Sequence, residues 1–86
     1  MAKIDEILEK RGERYGDYVE QAEIVEKLID TIRKSPNWEE MPATHRVAFY
    51  LICLKIGRVC TGDVMYADNF VDIEGYARLV ANELER

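Results

Sequence analysis

The segment that most constrains this chain is Val47 to Cys60, VAFYLICLKIGRVC, which is apolar nearly all round apart from Lys55 and Arg58. A helix without a polar face has to be surrounded by other helices, so this one is predicted to be the central element of the fold. The rest of the chain supplies its neighbours. Ile4, Ile7 and Leu8 suit a short first helix that Gly12 is expected to end, leaving GERYGDY as a connector. Asp17, with Glu20 three residues on, fits a capping box opening a second helix over about Tyr18 to Lys34. Ala22, Val25, Leu28, Ile29 and Ile32 form its apolar stripe.

Ser35-Pro36-Asn37 stops that helix, Trp38 is expected to fold back over the core, and Pro42 suits the first turn of the third helix. Thr61-Gly62-Asp63 closes the third helix. A fourth runs over about Ala67 to Leu84 with Phe70, Ile73, Tyr76, Ala77, Val80 and Leu84 as its stripe. With no alternating strand pattern, the expected fold is all-α: a small bundle of about four helices in one domain, residues 1–86. A chain of 86 residues cannot divide its apolar side chains between two cores. Its apolar stripes also exceed what four short helices can cover alone, so a homo-oligomer is expected to complete the bundle.

Charge narrows the partners. The net charge of -5 argues against binding DNA or RNA phosphate and against a polybasic membrane anchor. Cys53 and Cys60 fall on one helix face about 10 Å apart, too far for a disulfide within that helix. They read as small core residues of a chain in a reducing cytoplasm. His45, the one histidine, has no second ligand at zinc spacing and no nucleophile to serve.

Three groups of residues could carry function. Lys55 and Arg58 share a face of the most apolar helix, and Asp68 and Asp72 share a face of the next, which Gly75 and Tyr76 continue. Either the hairpin satisfies itself, with both cations on the aspartates and Gly75 allowing close approach, or the cations enter a pocket. There Arg58 would grip phosphate or carboxylate oxygens and Tyr76 would stack a ring. The second group is Arg11, Arg14, Tyr15, Gly16 and Asp17, where a glycine connector meets a helix start and free N–H groups suit an anion. The third is Glu20 and Glu23 with Asp68 and Asp72, four carboxylates that could hold Mg²⁺, although both glutamates lie off the apolar stripe.

Taken jointly, RGERYGDY, LKIGR, Gly62-Asp63 and DNFVDIEGYARL resemble small tailed-phage and prophage proteins known mainly as a domain of unknown function. The resemblance covers most of the chain. It implies functional weight at Tyr15, Gly16, Asp17, Lys55, Arg58, Asp68, Asn69, Asp72, Gly75 and Tyr76. More distantly, an all-α fold with paired acids is similar to the MazG-like nucleotide pyrophosphatases, which carry Glu-x-x-Glu and Glu-x-x-Asp pairs. Here the second pair is Asp-x-x-x-Asp, and the intervening helix carries Lys and Arg.

The reading drawn from these residues is a non-catalytic protein that binds a nucleotide-like anionic small molecule, such as a host-defence signal, without a cofactor. A Mg²⁺-dependent pyrophosphatase and a helical module that blocks a host protein are the alternatives.

Overall fold

The computed structural model describes residues 2–86. Four α-helices, α1 (Ala2–Tyr15), α2 (Tyr18–Arg33), α3 (Ala43–Thr61) and α4 (Ala67–Leu84), are joined by short connectors, with a single 3₁₀ turn over Trp38–Glu40. There is no strand among the described residues, and the fold is a small all-α bundle.

The predicted helix starts follow their chemistry. Asp17 is extended, and its carboxylate accepts the Glu20 amide at 3.3 Å, so the cap that opens α2 is present. Pro42 lies one residue outside α3 as its cap, where the first helical turn was expected. Its carbonyl accepts the amides of His45 and Arg46. Trp38 folds back as anticipated, its ring 6.0 Å from that of Tyr50, while Arg46 lies 4.6 Å over the indole and donates to the Trp38 carbonyl at 2.6 Å.

Gly12 does not end the first helix. α1 continues three residues further, and the amide of Gly16 closes the last turn onto the Gly12 carbonyl at 2.8 Å. A glycine inside a helix costs about 1 kcal/mol relative to alanine but breaks no hydrogen bond. Gly16, at φ 84°, is the true stop, in the left-handed conformation usual after a helix end. The connector to α2 shrinks to Gly16-Asp17.

α3 sits in the middle, as its apolar surface requires. α2 and α4 pack against it rather than against each other, and α1 leans on it as a partly detached arm. Among the described residues only Ala48 and Cys53 of the apolar side chains are buried, and burial pushes the Cys53 thiol up. Cys60, expected in the core, is exposed instead: it shares a helix face with the buried Cys53 but lies two turns further along, at the C-terminal end of α3. One thiol should therefore react at once with an aromatic disulfide reagent and the second only in denaturant. Two fast thiols in the native protein would contradict this packing.

The α4 stripe also needs correction. Phe70 and Leu84 are 57% and 68% exposed, and Ala77 is exposed. The face turned to α3 runs through Asn69, Asp72, Ile73, Tyr76 and Val80, so polar side chains occupy positions that an apolar pattern skips. Gly75 lies in open space with nothing within 4 Å of a Cβ added to it. The close helix approach is made at Gly57, where an added Cβ would meet the Val25 methyl group.

The molecule measures 46 × 27 × 25 Å, longer than the ~28 Å of its longest helix. Its radius of gyration, 14.9 Å, exceeds the roughly 12 Å of a compact chain this long. None of the described helices is long and apolar enough to cross a membrane.

Candidate functional site

Where α1 meets α2, the chain is clasped by the far end of α3. Gly16 leaves no room for a side chain, since a Cβ there would collide with the backbone carbonyl of Thr61. The Tyr15 carbonyl accepts the Thr61 hydroxyl at 2.5 Å and the Gln21 amide nitrogen at 2.9 Å. One residue earlier, the Arg14 carbonyl accepts the Asp63 amide at 2.8 Å. Gly62 is equally confined, against the backbone of Arg14 and Tyr15. Three backbone-directed hydrogen bonds thus satisfy the end of α1, where carbonyls lack helical partners.

This clasp fixes the Tyr15 ring, and cations gather on it. The Arg58 guanidinium lies 4.1 Å from the ring centroid and that of Arg11 lies 5.1 Å from it. Tyr66 meets the same ring edge-on at 6.1 Å. Arg14 lies 4.5 Å over Tyr66 and pairs with Asp63 at 3.5 Å. The Tyr66 hydroxyl donates to Asp68 at 2.9 Å, and this bond to a carboxylate holds its pKa above the ordinary phenol range.

Arg58 differs from its neighbours. Among the described residues no carboxylate lies within ion-pair distance of it, and its buried Nε has no hydrogen-bond partner. Beside it opens a groove of about 900 Å³ lined by Leu8, Arg11, Tyr15, Tyr18, Gln21 and Arg58. Gly16, Asp17 and Leu54 also line it.

Over residues 1–84 the chain matches a family described as Domain of unknown function (DUF6378). It belongs to that family. Neither a curated protein nor a solved structure matches it. The match spans all the residues just described, so the clasp and the Tyr15 cluster both lie within the DUF6378 domain.

The other residues singled out in this DUF6378 chain divide between elsewhere and nowhere in particular. Lys55 is buried and pairs with Asp72 at 2.9 Å, so the hairpin satisfies one of its two cations and not the other. Arg58 pairs with neither aspartate, because its side chain is drawn onto Tyr15 and Asp68 is engaged by Tyr66. Asn69 is 1% exposed and sits in the α3–α4 interior with its amide nitrogen unpartnered, away from the groove lining. Tyr76 lines a separate apolar groove of about 390 Å³ with Val47, Leu51, Leu79 and Val80, so it does not join the Tyr15 cluster. Glu20 and Glu23 are exposed on α2. Among the described residues no three Asp, Glu, His or Cys side chains are grouped to hold a metal ion, and the four carboxylates considered for Mg²⁺ are not brought together.

Contributors that were not foreseen include Tyr18 in the groove lining and also Gln21, Thr61 and Tyr66. Gln21 occupies an apolar-stripe position of α2, four residues before Val25, and a polar residue in such a place is a sign of a buried hydrogen bond. Thr61 and Tyr66 flank the Gly62-Asp63 turn, and no local spacing marks them.

Proposed function

We propose that the protein binds a nucleotide-like anionic small molecule in the groove beside Tyr15, without turning it over. The observation that carries this reading is Arg58: a permanently charged forked donor, held 4.1 Å from the centroid of an aromatic ring, with no carboxylate of its own. Arg11 adds a second cation on the same ring, and Tyr18, 76% exposed, offers a free face to a planar base. The groove's one carboxylate, Asp17, already serves as the α2 cap, so the lining supplies charge and ring faces in place of a metal cage or a nucleophile. The phage setting implied by the sequence resemblance makes a host-defence nucleotide one candidate within this class.

An oligomer is part of the same reading. The accessible surface is 6564 Å², against about 5200 Å² for a compact monomer of this mass. Among the described residues thirteen large apolar side chains are exposed, too many for so small a chain to leave uncovered.

Calorimetric titration with mono-, di- and cyclic nucleotides tests the ligand. Arg58→Ala should weaken binding at least tenfold, about 1.4 kcal/mol or more. The melting temperature should stay within a few degrees, because the substitution forfeits only a ring contact of about 0.5–1 kcal/mol and removes an unpaired buried donor. A parent protein that binds none of the panel would overturn the reading. Pyrophosphate release from a triphosphate, abolished by Asp72→Asn, would replace it with hydrolysis.

A further inference from the structure

The groove beside Tyr15 does not end there. Tyr18, Gln21 and Leu54 line both it and a second open groove of about 650 Å³ that continues along α2 with Leu54 of α3 beside it, past Ala22, Val25 and Ile29 and the charged Glu26, Lys27, Asp30 and Arg33. One helical turn occupies roughly 400 Å³, taking a 10 Å diameter and 5.4 Å pitch, so this continuation has the volume of about one and a half turns. The same molecule carries a helix lacking a seat. Ile4, Ile7 and Leu8 form an i, i+3, i+4 stripe on α1 and are 55%, 48% and 61% exposed. An isolated helix of 14 residues is marginal in water unless such a stripe is covered.

We infer that the occupant of the α2–α3 groove is α1 of a second copy of this chain, each copy laying its arm in the other's groove about a two-fold axis. Area supports a second copy over an unrelated partner. The surface surplus is about 1300 Å² per chain, and a stable interface removes about 800 Å² from each side. A self-complementary pairing needs both halves of the contact on one chain, and stripe and groove are both present here. Seated there, the partner's arm forms the end wall of the nucleotide groove next to Tyr18 and Gln21. The inference rests on the oligomeric part of the proposed function and assigns it a face.

Sedimentation of the full chain at micromolar concentration should give twice the 10.0 kDa monomer mass. Leu8→Glu should give the monomer mass while keeping the parent's helical circular dichroism. As a check independent of that variant's folding, Ile7→Cys chains mixed with Ile29→Cys chains, both carrying Cys60→Ser, should form a disulfide between chains on oxidation. A parent of monomer mass overturns both the inference and the oligomeric reading. A Leu8→Glu protein that stays dimeric, or a mixture that does not cross-link, overturns the inference alone. A cross-linked dimer that binds no nucleotide upholds the interface and removes the ligand.

Discussion

Replacing Gly16 with alanine should lower the melting temperature by on the order of 15 °C, corresponding to about 3 kcal/mol in a domain of this size. Two costs add. A left-handed backbone conformation, φ 84°, costs an L-residue roughly 1–2 kcal/mol. The new Cβ also meets the carbonyl of Thr61, which is backbone and cannot rotate aside, and overpacking of that kind costs about 1–3 kcal/mol. Relief would require moving α1 away from α3, with loss of the hydrogen bonds that Thr61 and Gln21 make to Tyr15. Gly75→Ala is the matched control: it has open space around it in the middle of a helix, and should raise stability by about 0.5–1 kcal/mol. Thermal unfolding followed by circular dichroism reads both. A Gly16→Ala protein melting within a few degrees of the parent would mean that the clasp does not hold α1.

The second large effect concerns the buried ion pair, and it is asymmetric. Asp72→Ala leaves the Lys55 ammonium, whose side chain is 10% exposed, without a counter-charge. Fully buried pairs lose about 3–5 kcal/mol when broken this way, and the 44% exposure of Asp72 lets water take up part of the deficit, so about 2–3 kcal/mol is expected. Lys55→Met removes the cation instead. It leaves a carboxylate that water already reaches, so stability should change by less than about 1 kcal/mol in either direction. Urea unfolding of the two variants decides the matter. Equal losses would show that the pair acts through its packing and not through its charge.

The helical fold was legible because its strongest signals are local. The all-round apolar run fixed α3 as the centre, and the Asp17 cap and the Pro36 and Pro42 breaks fixed the ends of α2 and the start of α3 to within a residue or so. The errors share a cause. Gly12 and Gly75 were assigned backbone roles because glycine types suggest them, yet the confined glycines are Gly16, Gly57 and Gly62, whose need arises from residues far along the chain. Likewise the α4 stripe followed apolar residues, whereas Asn69 and Asp72 occupy the buried face and answer to Lys55 and the interior of α3.

Within the site, Arg11, Arg14, Tyr15 and Gly16 could be grouped from their adjacency in the sequence. That Arg58 joins them, and not Asp68 or Asp72, could not be read from the chain. Helical spacing states which residues share a face but not which way a long side chain leans when an aromatic ring and a carboxylate are both within reach. Tyr76 was misplaced for the complementary reason: its helix was right and its height along that helix was not.

The last residues of α1, Arg14 and Tyr15, just before the Gly16-Asp17 connection, are bonded to Asp63 and Thr61, where the connection over residues 62–66 begins. Surface loops ordinarily accept inserted or deleted residues because nothing depends on their length. Here an added residue at Gly16 or Gly62, both confined, would disturb the register of Thr61 and Asp63 with Tyr15 and Arg14. Neither connection can therefore change length freely at its glycine. The Ser35–Pro42 turn at the opposite end of the molecule is held to α3 through Trp38, by Arg46 and Tyr50, and not to another connection, so its residues away from Trp38 are the freer entry for growth or grafting of new sequence onto this fold.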